Sequence, residues 1–260
     1  MVKLGGSAIS DKSKPMSYNR ASVRSVAGLV KRLLGRGWGV VLIHGGGSFA
    51  HPVAMAYGLD RGIVDDGQLI GVPLTLATLN GLNSLILVEF AKAGIPTYTV
   101  KAGSIFMRID GEVEGFGVGL LVRLMGRGIV PVIYGDVIFD SKRTFSIISG
   151  DEIMYYLAKE LKPKLALFLI DLPGVFEEGP GKGSLIKVLK PGGGLKIHEG
   201  GIDVTGGLSS KLSYAFKIAE VSQETYICSA TDEESLNAIA QGLEPPRCTR
   251  VVNQPGSAGS

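Results

Sequence analysis

Short runs of β-forming residues alternate with helical patterns along almost the whole chain of 260 residues. Val2–Leu4 opens as a strand, residues 17–34 place apolar side chains at helical spacing, and residues 40–43 form an apolar run typical of a covered strand. Further helices are predicted over 73–93, 120–125, 150–161, 208–219 and 232–241, and further strands over 97–100, 130–134, 165–170, 225–228 and 249–252, with a hairpin over 136–148. This alternation predicts an α/β fold, a three-layer αβα sandwich around an open, mainly parallel sheet, with ligands beyond the carboxyl ends of the strands.

The composition favours a cytoplasmic globular protein. With 27 basic and 24 acidic residues, the net charge of +3 indicates neither a nucleic acid nor a membrane surface as partner. The most hydrophobic run, 165–170, is far shorter than the ~20 residues that cross a bilayer, and no signal peptide is recognised. Cys228 and Cys248 are expected to be buried reduced thiols, because their spacing matches no metal or redox motif.

No clear linker divides the chain, so a single domain is predicted over residues 1–252. Residues 253–260 contain one apolar side chain and are predicted to form a flexible tail. Residues 177–201 are rich in glycine, proline and lysine, which is typical of a surface loop or hairpin.

Glycine accounts for 38 residues, and its clusters follow predicted strands or open predicted helices. These clusters are Gly5-Gly6-Ser7, Gly45-Gly46-Gly47-Ser48, Gly135, Ser149-Gly150 and Thr205-Gly206-Gly207. Glycine lets backbone N–H groups approach a ligand closely, and a helix N-terminus adds partial positive charge. Any one cluster is most simply an ordinary tight turn, but several that converge on one sheet edge predict a cradle for a polyphosphate.

Two apparent motifs fail on closer reading, and the histidines do not indicate a metal site. Residues 179–184 resemble a P-loop, but Gly183 stands where Ser or Thr must follow the lysine. His44 and the three glycines after it resemble the oxyanion loop of lipases, but the chain contains no G-x-S-x-G elbow. The three histidines show no paired ligand spacing, so no metal site built from protein ligands is predicted.

Five motifs, in order along the chain, carry a resemblance to a known family. They are Lys3-Leu4-Gly5-Gly6-Ser7 with Asp11-Lys12, Gly45-Gly46-Gly47-Ser48-Phe49-Ala50-His51-Pro52, residues 131–137, residues 148–152, and residues 203–207 with Lys211. Together they resemble the amino acid kinase superfamily, and the second resembles its branch of isopentenyl phosphate kinases and fosfomycin kinase. Two positions depart from that pattern: Ala50 replaces a usual glycine, and Pro173 stands where a second carboxylate is usual.

The resemblance implies the amino acid kinase fold, a homodimer, and transfer of the γ-phosphoryl group of ATP onto isopentenyl phosphate, with Mg²⁺ held mainly by the phosphates. It implies an acceptor-binding lobe over about 1–160 and a nucleotide-binding lobe over about 161–252. The implied ATP-binding residues are Lys3, Gly5, Gly6, Ser7, Gly46, Asp171, Gly207 and Lys211. The implied acceptor-phosphate residues are Gly45, His51, Ser149 and Gly150, and the implied catalytic residues are Lys3, Lys12, His51 and Lys211.

An ionised phosphate acceptor needs no general base. The enzyme must therefore hold ATP and the acceptor phosphate together and neutralise the negative charge on the transferred phosphoryl group. The apolar tail needs a dry slot, for which the candidates are Val53, Ala54, Met55, Tyr57, Leu76, Leu79, Leu82, Leu85 and Ile86. Two alternatives stay open: the same chemistry on fosfomycin, another phosphonate or an acylated amino acid, and a non-catalytic nucleotide-binding homologue. His51 favours a phosphate-like acceptor, because imidazole can donate to it and carry charge near neutral pH.

Overall fold

The computed structural model describes residues 1–11, 13–115, 117–191 and 207–253, with only the backbone of 207–209. Its helices are α1 (Gly6–Ile9), α2 (Arg20–Gly35), α3 (Gly47–Ala56), α4 (Gly71–Lys92), α5 (Gly119–Met125), α6 (Gly150–Leu161), α7 (Gly207–Ala219) and α8 (Glu233–Gln241). Its strands are β1 (Val2–Leu4), β2 (Leu42–His44), β3 (Thr97–Thr99), β4 (Phe106–Ile109), β5 (Glu112–Gly115), β6 (Val130–Tyr134), β7 (Asp136–Asp140), β8 (Thr144–Ile148), β9 (Leu165–Ile170), β10 (Val188–Leu189), β11 (Glu224–Ser229) and β12 (Cys248–Val251).

Eight strands form the main sheet, in the order β10-β12-β11-β9-β1-β2-β6-β3. Every neighbouring pair is parallel except β11 and β12, which run antiparallel. A second sheet has the order β5-β4-β7-β8. The predicted α/β architecture with a mainly parallel sheet is confirmed.

Two hydrophobic clusters lie on opposite faces of the main sheet, because side chains alternate along each strand. Leu42 belongs to the cluster that also contains buried residues of α2, α4 and α8. The next residue, Ile43, belongs to the cluster that contains buried residues of α5, α6 and α7. The molecule therefore has three layers, with the sheet in the middle.

Helix α4, with the turn before it, is the most extended apolar segment. Residues 66–92 are long and apolar enough, by length and composition, to cross a membrane. An 18-residue window within them has a mean hydropathy of 1.5, and 39% of that window is buried inside the protein. Ile86 and Phe90 have no exposed surface and lie in the core, whereas Leu85 and Val88 are 40% and 48% exposed. One face of α4 is thus core, and the opposite face is apolar surface.

Cys228 and Cys248 form a disulfide bond, so the prediction of reduced thiols is wrong. They lie directly opposite each other on the antiparallel strands β11 and β12, with Cα atoms 4.6 Å apart. That separation is typical of a non-hydrogen-bonded antiparallel pair, in which facing side chains come close. The spacing of the two cysteines in the sequence does not predict the disulfide, because the pairing depends on β12 running antiparallel to β11.

The hairpin of β4 and β5 was not predicted. Its turn residues, Asp110 and Gly111, both have positive φ, 51° and 95°, as in the two-residue turns that suit the twist of a hairpin. An Asp-Gly pair between two short strand-like runs is the signal that could have located it. The predicted loop over 177–201 includes strand β10 and Leu185, which forms a bridge with Phe176 just before the loop. The part of this loop beyond residue 191 lies outside the described residues. The predicted tail also lies outside them from residue 254 onward.

Candidate active site

A cleft of about 320 Å³ lies where several strands of the main sheet end. Strands β2, β1 and β9 run parallel and adjacent, so the segments after them meet at one edge. Most of the predicted site residues line this cleft: Lys3, Gly6, Ser7, Gly45, Gly46, His51, Ser149, Gly150, Asp171 and Lys211. Gly5 lies in the turn just before Gly6 but does not itself line the cleft, and Gly207 is the first residue of α7. Lys12 lies outside the described residues.

The carboxylate of Asp151 lies between two lysines in the cleft. The Nζ atom of Lys3 is 2.8 Å from Asp151 Oδ1, and the Nζ atom of Lys211 is 3.4 Å from both carboxylate oxygens. The exposed fraction of the side chain is 4% for Lys3, 13% for Lys211 and 14% for Asp151. One carboxylate therefore holds two ammonium groups together at the end of the sheet, where they leave an excess of positive charge.

The pKa values of this group reflect that arrangement. Burial alone would raise the pKa of Asp151, but the two lysine charges outweigh it and hold the pKa below its usual range. Burial, together with repulsion from Lys3, lowers the pKa of Lys211 to about 7, against the opposing attraction of Asp151. Lys211 thus exchanges its proton close to neutral pH, and an anion bound beside it would favour the charged form.

Two glycine turns pack backbone against backbone at the floor of the cleft. A Cβ atom on Gly45 would lie 3.1 Å from the amide nitrogen of Gly6, and one on Gly6 would lie 3.1 Å from the Cα atom of Gly47. A larger residue would force these backbone segments apart by a few tenths of an ångström, so the close approach favours glycine. The turns after β1 and β2 therefore present backbone, rather than side chains, to a ligand.

Helix α6 begins at the cleft with Ser149 as its N-cap, whose hydroxyl accepts a hydrogen bond from the backbone N–H of Glu152 at 3.1 Å. A Cβ atom on the next residue, Gly150, would lie 3.2 Å from both His44 O and Lys3 Cε. The start of this 12-residue helix adds partial positive charge to a region already rich in cations. Ser149 and Gly150 are thus placed to face an anion.

His51 lines the same cleft from helix α3, which begins at Gly47, directly after Gly46. The imidazole is therefore brought into one cavity with Lys3 and Lys211, from a different segment of the chain. The cleft thus combines three side chains that can carry positive charge.

The rest of the cleft wall is largely apolar. Its members are Ala50, Ala54, Thr75, Leu79, Gly135, Val137, Ile147, Ile148, Ile170, Leu172 and Pro180. Among the residues predicted to line an apolar slot, Ala54 and Leu79 do so. Leu82 and Ile86 do not, because they point into the main core, and Leu85 is exposed on the outer face of α4. The other candidates are also outside the cleft wall: Val53, Met55, Tyr57 and Leu76.

Two carboxylates in the cleft were missed as site residues. Asp151 stands within a motif quoted above, but its contact with two lysines, 148 and 60 positions away in sequence, depends on the tertiary fold. Asp136 lines the cleft and accepts hydrogen bonds from the backbone N–H groups of Gly103 and Val137 at 3.1 and 3.0 Å. Burial raises its pKa, and its contacts tie the start of β7 to the turn before β4.

Among the residues that the structure describes, no group of three or more His, Cys, Asp or Glu side chains is placed to hold a metal ion. Asp171, directly after β9, is an exposed carboxylate on the cleft wall. Carboxylate oxygens of this kind suit Mg²⁺ when most of the other ligands are phosphate oxygens and water.

Comparison with known proteins agrees with this geometry. A sequence model of the amino acid kinase family matches residues 1–229. The isopentenyl phosphate kinase of Thermoplasma acidophilum is 30% identical over 93% of this chain and 96% of its own length, and that of Methanocaldococcus jannaschii is 31% identical over 82% and 84%. A crystal structure of isopentenyl phosphate kinase has a TM-score of 0.81 at 26% identity, covering 96% of this chain and 98% of that chain. The chain therefore belongs to the amino acid kinase family of phosphotransferases.

Proposed function

We propose that the chain is an isopentenyl phosphate kinase, which transfers the γ-phosphoryl group of ATP to the phosphate of isopentenyl phosphate. The observation that carries the proposal is the pair of lysines, Lys3 and Lys211, joined by Asp151 in a cleft that His51 also lines. The named relatives in Thermoplasma and Methanocaldococcus support the choice of acceptor.

On the nucleotide side, Lys3 and Lys211 bind the phosphates of ATP, and Asp151 sets the distance between the two ammonium groups. The backbone of Gly5, Gly6, Ser7, Gly46 and Gly207 cradles those phosphates. Asp171 lies near the nucleotide, and Lys12 stabilises the transferred group. The role of Lys12 remains a prediction from the family motif, because that residue lies outside the described part of the chain.

On the acceptor side, Gly45, His51 and the Ser149-Gly150 turn hold the phosphate, and the apolar wall around Leu79 receives the tail. A phosphate monoester has a second pKa of about 6, so at neutral pH the acceptor is already a nucleophile. One of its oxygens forms a bond to the γ-phosphorus as the bond to the bridging oxygen of ATP breaks, and ADP leaves. The cations of the cleft neutralise the charge that spreads over the transferred group.

Mg²⁺ is proposed as the metal, held mainly by the phosphate oxygens, since Asp151 is engaged by two lysines and Asp171 is the exposed carboxylate nearby. When bound, it supplies further neutralisation of phosphate charge.

The proposed division assigns the acceptor to a lobe over about 1–160 and the nucleotide to a lobe over about 161–252, with the phosphates of ATP also contacting Lys3 and the glycine turns of the first lobe. We further propose a cytoplasmic homodimer. Its candidate interface is the outer face of α4, where Leu74, Leu85 and Val88 are exposed, with the edge strand β3, whose Tyr98 is 53% exposed. A second copy seated there would cover both the apolar face and the unpaired strand edge.

The test is ADP release measured with isopentenyl phosphate, fosfomycin and N-acetylglutamate, in the wild type and in His51→Ala. The proposal predicts turnover with isopentenyl phosphate alone, and loss of that turnover in the variant. Turnover of N-acetylglutamate or fosfomycin in its place would assign a different acceptor, and undiminished activity of His51→Ala would remove the histidine from the acceptor site.

A further inference from the structure

His44, the last residue of β2, is a fully buried imidazole to which the proposed mechanism gives no role. Burial lowers its pKa to about 4, so the ring is neutral at pH 7 and adds no charge to the cleft. Burying an imidazole costs free energy unless its polar nitrogen atoms are hydrogen-bonded. The partners of the ring therefore indicate what this side chain does.

The imidazole of His44 is held at both nitrogen atoms and on one face. Its Nδ1 atom lies 3.0 Å from the carbonyl oxygen of Gly45, and its Nε2 atom lies 3.3 Å from the side-chain oxygen of Asn83. One face stacks on the ring of Tyr134, with the ring centroids 4.9 Å apart and an angle of 29° between the planes. The amide of Asn83 is itself hydrogen-bonded to Thr99 Oγ1 at 2.8 Å. Helix α4 and strand β6 thus fix the orientation of the ring.

The contact with Gly45 sets the direction of the next peptide group. A carbonyl oxygen can only accept, so Nδ1 of His44 carries a proton and donates it to Gly45 O. The peptide between Gly45 and Gly46 is planar and trans, so its C=O and N–H groups point in opposite directions. Because the carbonyl points towards the buried ring, the N–H of Gly46 points away from it.

The N–H of Gly46 is available to a ligand. Gly46 lines the cleft. Its N–H donates to no acceptor in the part of the chain that the structure describes. The neighbouring backbone is held as well, since Gly45 N–H donates to Leu4 O and Gly135 N–H donates to His44 O, both at 3.1 Å. The turn is therefore rigid on either side of a free donor.

We propose that His44 is a positioning residue, which holds Gly45 O so that the N–H of Gly46 faces the phosphates of ATP. This inference rests on the proposed kinase function and adds a residue to it. A donor that is fixed before the substrate binds needs no reorganisation as charge develops on the transferred group, so it acts mainly on kcat. A peptide that could turn over would instead present a carbonyl oxygen, which repels phosphate.

The test compares two amide variants at this position. The side-chain nitrogen of asparagine reaches the place of Nδ1, whereas that of glutamine, one methylene longer, reaches the place of Nε2. His44→Asn is therefore expected to keep most of the wild-type kcat. His44→Gln is expected to lower kcat at least about tenfold, part of the roughly 10²- to 10³-fold that loss of an oxyanion donor costs. In both variants KM for ATP is expected to change less than kcat does in His44→Gln.

Ser235→Ala is the control for a general loss of stability. It removes a fully buried hydroxyl on α8, which donates to the carboxylate of Asp232 at 2.7 Å and accepts from the N–H of Arg247 at 3.1 Å. Ser235 lies outside the cleft wall. This variant is expected to lower the urea midpoint and to leave kcat unchanged.

Should His44→Gln fail to fold, Asn83→Ala takes its place in the comparison. Asn83 lies outside the cleft wall, and its loss frees the Nε2 side of the ring, so it is also expected to lower kcat. An equal fall in kcat for both amide variants, or His44→Gln as active as the wild type, would overturn the positioning role and leave the kinase function standing. An unchanged kcat in Asn83→Ala, where it is the substitute, would do the same. A wild type that does not turn over isopentenyl phosphate would overturn the proposed function itself.

Discussion

Replacing Asp151 by asparagine removes the negative charge that Lys3 and Lys211 share, with little change in side-chain volume. At the 3.4 Å that separates Lys211 Nζ from Asp151 Oδ1, an effective dielectric constant of ~20 gives an attraction of ~5 kcal/mol, or ~3.5 units of pKa. Because the pKa of Lys211 is already lowered to about 7, loss of this attraction moves it well below neutrality. In the variant, Lys211 is therefore uncharged near pH 7, where the wild-type Lys211 gains or loses its proton.

The sign of the effect on stability follows from the unfolded chain, in which a lysine keeps its ordinary pKa of 10.5. The pKa of Lys211 is lower in the folded state than in the unfolded chain. Both proteins therefore lose stability as the pH falls below 10.5, the pKa of the unfolded lysine. The wild type stops losing stability near pH 7, where its Lys211 takes up a proton, but the variant continues to lose it. The difference in free energy of unfolding therefore widens by roughly 1.4 kcal/mol for each pH unit below 7.

Urea unfolding of both proteins over a pH series between 8 and 5.5 measures this difference. Glu160→Gln, an exposed position on the same helix, removes the same charge and is expected to show no such widening. In parallel, kcat with ATP and isopentenyl phosphate is expected to fall about 10²- to 10³-fold in Asp151→Asn, as for loss of one preorganised electrostatic contact. A stability difference that stays constant with pH would refute the assigned coupling of Asp151 and Lys211.

Three further predictions concern other parts of the molecule. The Cys228–Cys248 disulfide closes a loop of 20 residues, and it should contribute ~3 kcal/mol by restricting the unfolded chain; a double serine variant with an unchanged urea midpoint would contradict this. Bound ATP should raise the pKa of Lys211, so binding at pH 8 should take up a proton, and the affinity for ATP should fall as the pH rises above 7. Calorimetry in buffers of different ionisation enthalpy measures this proton uptake, which Lys211→Met should abolish. Proton uptake that persists in the variant would assign the proton to another group. Leu85→Glu combined with Val88→Glu should convert a dimer to a monomer in light scattering, and a monomeric wild type would rule out the proposed interface.

The parts of the fold that could be predicted from the sequence are those with a local signal. Helix α6 and strand β9 were predicted with their observed bounds, because a serine cap, helical periodicity and a six-residue apolar run are all local features. The glycine turns were also recognised as features of one sheet edge, since parallel strands end together.

The parts that could not be predicted depend on contacts between distant segments. Asp151 gains its importance from Lys3 and Lys211, and no spacing rule connects the three positions. The disulfide required knowledge that β12 runs antiparallel to β11. Ile86 satisfied the pattern of an apolar slot, but α4 turns that residue into the core and presents Leu79 to the cleft.

The most direct test of the proposed chemistry is to identify the product by ³¹P NMR after incubation with ATP, Mg²⁺ and isopentenyl phosphate, for the wild type and for Lys211→Met. We expect the monophosphate resonance to be replaced by the two coupled resonances of isopentenyl diphosphate, in equal amount to the ADP formed, and the lysine variant to form this product at least about a hundredfold more slowly. ADP formed without isopentenyl diphosphate, or a variant as fast as the wild type, would contradict the claim that this cleft joins the two phosphates.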